Sequence, residues 1–307
     1  MHNLNSAVQQ KEPVEQDMGR SFRLDSDDIA FFETNGYLGP FSLLNRDLAD
    51  SYCEIISEKA KEYRCLDGHF YKRRRHKIAD YVHVQIQKVL NKLTFRKRPF
   101  GSPTPWYKSA HIIIPEVAKL GLMPQITDRL QSLFGEDILL WGAQIINRQG
   151  NSHRWHKDVE HTVWPGITVW LGLRHVGPEN TMKVIPGSHR FQFSPQELIT
   201  QDDILLDDEQ FLSAVRQIQP HAQIVKMDLR PGDFFIFAGP TWHASHDTSP
   251  NKRTSIIYQY CHPSARVSIT LNYDPKRVKF YPSQPPVLLA TGKDDFSLNH
   301  LKIPEYD

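Results

Sequence analysis

The stretch RPGDFFIFAGPTWHASHDTSPNKRTSIIYQY, residues 230–260, contains two strand-like runs joined by a polar connection. A Pro-Gly-Asp turn signal at 231–233 leads into an apolar run, and a second run rich in Ile and Tyr begins at Arg253. His243 lies between the two runs. Short apolar runs bounded by turn residues are typical of antiparallel β-structure. This stretch therefore predicts two strands with a histidine and an arginine near their ends.

The same pattern of short apolar runs separated by turn residues extends over residues 137–275. Further short runs, rich in β-branched and aromatic residues, are separated by Gly, Pro, Asn and Asp: ILLWGAQII (138–146), GITVWLGL (166–173), TMKVI (181–185) and QIVKMDL (223–229). Many short strands with turn signals between them indicate a β-sandwich or barrel. The sequence predicts an all-β core in this region.

Helical signals come before this core. Ser26, followed by two aspartates, is a capping signal, and Gly36 stands where a helix would end. Further helices are predicted over Asp47–Tyr63, about 78–93, and about 123–134, and the last of them should end at Gly135. The N-terminal region thus predicts helices that buttress the β-core.

These patterns predict a flexible N-terminal arm at 1–22 and a single domain at 23–307. Within the domain, we expect a helical part at 23–136 and the β-core at 137–275. The tail at 276–307 contains several prolines and is predicted to wrap the core without regular structure.

The composition is ordinary for a globular protein. Hydrophobic residues make up 39% and charged residues 23%, and the formal net charge of +2 gives no reason to expect nucleic acid or a membrane as partner. The three cysteines, Cys53, Cys65 and Cys261, have no metal-finger spacing and are expected to be reduced thiols. No secretory signal or transmembrane stretch is found, so a cytoplasmic protein is expected. Oligomeric state cannot be predicted.

A metal site is indicated by His156 and Asp158 in QGNSHRWHKDVEH (149–161). In an extended segment, residues two apart face the same side, so this imidazole and carboxylate can converge on one ion. Oxygenase iron(II) takes two histidines and one carboxylate, and His243 is the best third ligand. His246 is a weaker candidate, because it lies closer to Arg253. A guanidinium at Arg253 suits the carboxylate of a 2-oxo acid.

The chain resembles the phytanoyl-CoA dioxygenase family of iron(II)- and 2-oxoglutarate-dependent oxygenases. The resemblance runs from residue 28 to about 260 and is carried by these segments: DIAFFETNGYLGPFSLL, HKD, VWLGLRHV, VIPGSHR, PGDFFIF, TWHAS and NKR at 251–253. It implies a double-stranded β-helix, a cupin-like jelly roll of two facing sheets. It also implies iron(II) at His156, Asp158 and His243, and 2-oxoglutarate at Arg253.

Further site residues follow from the resemblance. Asn147 and Trp170 are predicted to contact 2-oxoglutarate, with Gln144, Thr168 and Ser255 as further candidates. Residues around the HxD motif are candidates for the substrate pocket: Trp155, Glu160, His161, Trp164 and Arg148. For the tryptophans, packing in the core is the competing interpretation. The basic run Lys72–Lys77 is either a solvated loop or a collar for an anionic substrate.

The resemblance implies that iron(II), 2-oxoglutarate and dioxygen together oxidise a C–H bond of a small molecule. Related halogenases replace the carboxylate ligand with a small residue, so Asp158 favours hydroxylation over halogenation. A substrate from specialised metabolite biosynthesis is expected, and an acyl-CoA or carrier-linked acyl group is the alternative. Two other hypotheses are a cupin enzyme that uses a metal without 2-oxoglutarate, which leaves Arg253 without a role, and a jelly roll that only binds a ligand.

Overall fold

The protein is described by a computed structural model. It covers residues 21–66, 69–72, 108–150, 152–158, 162–164, 166–198, 207–269 and 285–303, together with Val82 and Ile86. The helices in these ranges are α1 (Ser26–Asn35), α2 (Arg46–Lys61), α3 (Ala110–Ile113), α4 (Pro115–Gly121), α5 (Pro124–Phe134), α6 (Pro195–Leu198) and α7 (Asp208–Arg216). The strands are β1 (Tyr37–Ser42), β2 (Tyr63–Leu66), β3 (His69–Lys72), β4 (Ile138–Arg148), β5 (His153–His156), β6 (Thr162–Val163), β7 (Gly166–Arg174), β8 (Met182–Val184), β9 (Val225–Lys226), β10 (Asp233–Ala238), β11 (His243–Ser245), β12 (Arg253–Cys261), β13 (Ser268–Ile269), β14 (Pro286–Thr291) and β15 (His300–Leu301).

Two sheets form the β-core. The larger has the order β1-β10-β7-β12-β4-β14-β15, and the smaller has the order β5-β11-β8-β9. Pairing is antiparallel throughout these sheets except between β14 and β15. Neighbours in each sheet are often distant in sequence, as expected when strands cross between two sheets of a jelly roll.

The outer face of the larger sheet packs against the helices. On β12, Tyr258 and Tyr260 are fully buried, and their hydroxyls donate to the carbonyls of Val117 at 2.9 Å and Gly121 at 2.7 Å. A Cβ at Gly121 would approach the Tyr258 ring to 2.7 Å, so glycine is needed where α4 meets the sheet. These contacts join the helical layer to the larger sheet.

The inner face of the larger sheet packs against the smaller sheet. Trp170 of β7 and Phe235 and Phe237 of β10 share one apolar cluster with Met182 and Val184 of β8. Alternate residues of a strand point to opposite faces, so β7 and β10 supply this cluster and the helical interface at the same time. The predicted mainly-β jelly roll with flanking helices is confirmed.

The N-terminal helices follow the predictions with one correction. The residue that caps α1 is Asp25, whose side chain accepts from the amide of Asp28 at 2.8 Å, rather than Ser26. Gly36 ends α1 with φ +77°, and Gly135 follows α5 with φ +90°, both in conformations that favour glycine. Of the predicted helix at about 78–93, Val82 and Ile86 are described, and both are helical. The Lys72–Lys77 side chains and most of the predicted arm lie outside the described residues.

Two strands of the larger sheet come from outside the predicted β-core at 137–275. β1 comes from the N-terminal part and forms an edge of the larger sheet, and β14 comes from the tail and pairs with β4. Val287 and Leu288 of β14 are buried, which explains why this proline-flanked segment forms a strand. Cys53 and Cys261 are buried free thiols. None of the described helices is both long and apolar enough to cross a membrane.

Candidate metal centre

His156 and His243 are brought together by strand pairing in the smaller sheet. The two residues are register partners between β5 and β11, and their ring centroids are 4.1 Å apart. His243 is 2% exposed, and Phe237 packs against its ring at 4.5 Å. Residues opposite each other in an antiparallel pair share a face, so both imidazoles point to the same side of the sheet.

Backbone carbonyls orient both rings. His156 Nδ1 lies 2.7 Å from the carbonyl oxygen of Arg154, and His243 Nδ1 lies 2.9 Å from that of Thr241. A carbonyl only accepts, so each Nδ1 carries a proton, and in the neutral form of each ring Nε2 presents a lone pair. Histidine metal ligands are commonly held in this way.

Asp158 completes the group. Its amide donates to the carbonyl of Gly239 at 2.9 Å, which places the residue beside the end of β10. Carboxylate oxygen Oδ1 lies 3.6 Å from Nε2 of His243 and 3.9 Å from Nε2 of His156. The other oxygen, Oδ2, accepts hydrogen bonds from Thr168 Oγ1 at 2.6 Å and Gln259 Nε2 at 3.2 Å. One oxygen is therefore occupied by the protein and the other faces the imidazoles.

These three residues fit a divalent transition metal. One ligand atom from each of His156, Asp158 and His243 lies within 4.8 Å of the other two. Desolvation, followed by the nearby His243 and His153, lowers the pKa of His156 well below its usual value, so this ring is neutral at physiological pH. Two imidazoles and one carboxylate are the donor set of non-haem iron(II) oxygenases.

Arg253 lies on the inner face of β12 and is 1% exposed. Its guanidinium donates to the carbonyl of Asn180 and lies 5.4 Å from the ring of Trp170, measured from Cζ to the centroid. Its Nε atom has no hydrogen-bond partner among the described residues. Burial lowers the pKa of Arg253 to about 10, so the group remains charged at neutral pH. A buried cation with an unused donor fits a ligand carboxylate.

Ser255 and Gln144 lie on the same face as Arg253. Ser255 is fully buried, and its hydroxyl has no partner within the described part of the chain. Gln144 pairs with Ile257, two residues further along the same face of β12. Both positions are therefore compatible with a contact to a ligand held by Arg253.

The structure places Asn147 on the opposite face of the sheet from Arg253. Asn147 pairs with Thr254 and accepts a hydrogen bond from its hydroxyl at 2.9 Å. Thr254 is adjacent to Arg253 and so points to the opposite face of the sheet. The residue lies near the correct end of β4, but on the side that faces away from Arg253.

Thr168 and the tryptophans have roles that differ from those predicted. Thr168 contacts Asp158 directly, so it positions the carboxylate. Trp155 stacks on Phe211 at 5.0 Å, and Trp164 packs edge-on against Trp141 at 5.1 Å, each within an apolar cluster. Both side chains are buried, which supports packing in the core. This corrects the prediction that they line the substrate pocket.

Arg148 is half-buried and pairs directly with Arg253 across β4 and β12, so it lies at the same end of the inner face. Glu160 and His161 lie outside the described residues. His246 is exposed, is not one of the three converging residues, and contacts Ser152 through Nδ1 at 3.1 Å.

Three residues near the centre were not predicted as site residues. Gln259 contacts Asp158, and the strand period could have revealed it, since it lies six residues after Arg253 on the same face. His153 lies beside His156 with ring centroids 4.1 Å apart. Lys108 contacts Gln259 at 2.9 Å from a distant part of the sequence, and no local pattern points to it.

Comparison with known proteins agrees with this geometry. The sequence profile of the family "Phytanoyl-CoA dioxygenase (PhyH)" matches residues 32–255, a range that contains the three converging residues and Arg253. The chain belongs to the phytanoyl-CoA dioxygenase family. It is therefore a dioxygenase that depends on iron(II) and 2-oxoglutarate. No curated protein matches the chain.

Solved structures share the fold of this family member. "CytC3 with Fe(II) and alpha-ketoglutarate" is similar with a TM-score of 0.58 at 19% identity, over 92% of this chain and 94% of that one. The alpha-ketoglutarate-dependent carbocyclase SnoK from nogalamycin biosynthesis gives 0.54 at 18%, over 85% and 93%. EctD from S. alaskensis gives 0.53 at 16%, over 91% and 89%. At these identities the likeness concerns the fold.

Proposed function

We propose that this family member hydroxylates a small molecule of specialised metabolism, with its iron held by His156, Asp158 and His243. The observation that carries the proposal is the orientation of the three side chains. Each ligand residue has one polar atom engaged by the protein and the other directed at a common point. Such preorganisation is expected of a metal centre and has no use in a core that only packs.

The cosubstrate is proposed to bind between the metal and Arg253. Arg253 would hold the distal carboxylate of 2-oxoglutarate, Ser255 would donate a hydrogen bond to it, and Trp170 would form the wall beside it. Support comes from the unused Arg253 Nε and Ser255 Oγ, both buried on one face of β12. Gln144 is proposed as a neighbour on β4.

When bound, iron(II) with 2-oxoglutarate and dioxygen supplies an oxidant that removes hydrogen from an unactivated carbon and yields succinate and carbon dioxide. The protein's own residues orient these reactants. Asp158 would fill the third ligand position with a carboxylate, which would favour hydroxylation over halogenation. The inner-face residues Trp170, Phe235 and Phe237 exclude water from one side of the centre.

A small metabolite is proposed as the substrate because SnoK, which shares the fold, comes from nogalamycin biosynthesis. Arg148, half-buried at the inner-face end of β4, is proposed to contact the substrate. We also propose a cytoplasmic location, since Cys53 and Cys261 are free thiols.

The decisive experiment is anaerobic titration with iron(II) and 2-oxoglutarate, followed by absorption spectroscopy. We expect a visible charge-transfer band in the wild type, and after exposure to air, slow succinate formation without added substrate. Asp158→Ala should lose both. A wild-type protein that binds neither reactant, or an Asp158→Ala variant with an unchanged band and unchanged succinate formation, would refute the proposed centre.

A further inference from the structure

The orientation of the Asp158 carboxylate is controlled by neighbouring strands of the larger sheet. Thr168 on β7 and Gln259 on β12 are register partners, so their side chains lie next to each other on the inner face. Both donate to Oδ2 of Asp158. Because the two hydrogen bonds end on the same oxygen, Oδ1 is left to face the imidazoles of His156 and His243.

The contact from Gln259 depends on which end of its amide faces Asp158. A carboxylate oxygen without a proton only accepts, so it needs the amide nitrogen. At the other end, Lys108 Nζ donates a hydrogen bond to Gln259 Oε1 at 2.9 Å. Both neighbours therefore select the same orientation of the amide. A hydrogen-bond chain runs from Lys108 through Gln259 to Asp158.

Lys108 is held in place by the edge of β4. Its carbonyl accepts a hydrogen bond from the amide of Ala143 at 2.6 Å, and the next residue, Ser109, forms a parallel bridge to Ala143. Gly142 lies between Lys108 and Gln259. A Cβ at Gly142 would come within 3.1 Å of Gln259 Oε1, so the glycine leaves room for the contact.

We propose that Lys108 and Gln259 are positioning residues for the metal, which keep Asp158 bound through one oxygen only. This inference rests on the proposed function, since Asp158 must be a metal ligand. A facial set of two histidines and a one-oxygen carboxylate leaves three positions open for cosubstrate and dioxygen. A carboxylate free to rotate would offer both oxygens and compete for one of those positions.

The test measures binding of cobalt(II), a probe whose visible spectrum reports its coordination without any turnover. Gln259→Met keeps the length of the side chain and removes the donor. We expect its dissociation constant for cobalt(II) to rise about 10-fold, within the range typical of contacts to metal ligands, with a changed spectrum. Lys108→Met should produce a smaller rise of the same kind. Exposed residues provide matched controls, Gln217→Met and Lys119→Met, which should bind cobalt(II) as the wild type does.

The double variant Lys108→Met/Gln259→Met separates action through Gln259 from direct action on Asp158. If Lys108 acts through the amide, the double variant should bind cobalt(II) no more weakly than Gln259→Met alone. Losses that multiply in the double variant would overturn the chain of contacts. A dissociation constant within twofold of the wild type in Gln259→Met would overturn the whole inference.

Thermal unfolding of each variant shows whether it is folded. Should Gln259→Met prove insoluble, Lys108→Met alone remains a test, and an unchanged dissociation constant and spectrum in it would overturn the inference. Asp158→Ala distinguishes the two proposals. Retained cobalt(II) affinity in Asp158→Ala would refute the metal centre itself, whereas lost affinity there with wild-type behaviour in Gln259→Met would refute only the positioning role.

Discussion

Two arginines at the ends of neighbouring strands differ in the groups around them. One forms ion pairs that stabilise the fold, and the other is arranged to bind a ligand. Arg174 forms ion pairs with Asp50 at 2.7 Å and Glu54 at 3.0 Å and fixes α2 to β7. Arg253 is buried, and the charge of Asp247 acts on it, but no ion pair joins Arg253 to a carboxylate among the described residues. A buried cation without a directly paired carboxylate is costly unless a ligand supplies one.

The substitution Arg253→Gln should therefore weaken the binding of 2-oxoglutarate and leave the binding of the metal unchanged. Losing a hydrogen bond to a charged group costs about 1.5–3 kcal/mol, which corresponds to a rise in KM for 2-oxoglutarate of roughly 10- to 100-fold. Steady-state succinate formation at varied 2-oxoglutarate measures this. The exposed Arg230→Gln serves as control and should keep the wild-type KM. An unchanged KM in Arg253→Gln would place the carboxylate site elsewhere.

At the scale of the strand, the alternation of faces decides which residues reach the site. The sequence predicts β4 correctly, whereas the prediction of Asn147 as a contact to 2-oxoglutarate rests on the family resemblance. The face of a residue is fixed only once pairing is known, and pairing with Thr254 turns Asn147 outward. Gln144 has the same parity as Gly142 and faces inward.

A pair of alanine substitutions on β4 tests this assignment. Asn147→Ala should leave KM for 2-oxoglutarate within about twofold of the wild type, since it removes only a hydrogen bond on the outer face, worth about 1 kcal/mol of stability. Gln144→Ala should raise KM several-fold because its side chain shares the face of Arg253. The reverse order of effects would show that the register assigned to β4 and β12 is wrong.

β5 is a second strand in which the face of each residue decides whether it reaches the site. Its register with β11 shifts between His156 and His153, which lets both histidines face the centre while Trp155 points into the apolar cluster behind it. A sequence interpretation cannot foresee this irregularity, so Trp155 was placed in the pocket.

Trp155→Ala should act on stability. Removing a buried tryptophan that stacks on Phe211 is expected to lower the free energy of unfolding by about 3–5 kcal/mol. Urea unfolding followed by circular dichroism measures the loss. Trp155→Phe keeps the stacked ring and should cost less, with KM for 2-oxoglutarate unchanged. A Trp155→Ala variant of wild-type stability would return this residue to the list of pocket candidates.

At the scale of the whole molecule, the sequence predicted the fold class and the three converging residues, because spacing and turn signals tie each ligand to a strand end. It did not predict contacts made across the fold. Lys108 and Gln259 are 151 positions apart, and only the tertiary structure joins them. The strand in the tail could not be predicted for the same reason, since it is stabilised by pairing with β4 and β15 and by packing across the fold.

The final prediction concerns the contribution of β14 to the stability of the fold. β14 pairs with β4 through Leu288 and Leu289, and the fully buried Val287 packs in one cluster with Trp141. Burying Val287 and Leu288 contributes about 1.5–3 kcal/mol each, so a chain ending at residue 284 should lose about 3–6 kcal/mol, a large part of a typical domain stability of about 5–15 kcal/mol. We expect low soluble yield and a broad, lowered thermal transition by circular dichroism. A chain ending at residue 303 controls for shortening and should unfold as the wild type does. Cooperative unfolding at the wild-type temperature in the shorter chain would show that the larger sheet is complete without β14.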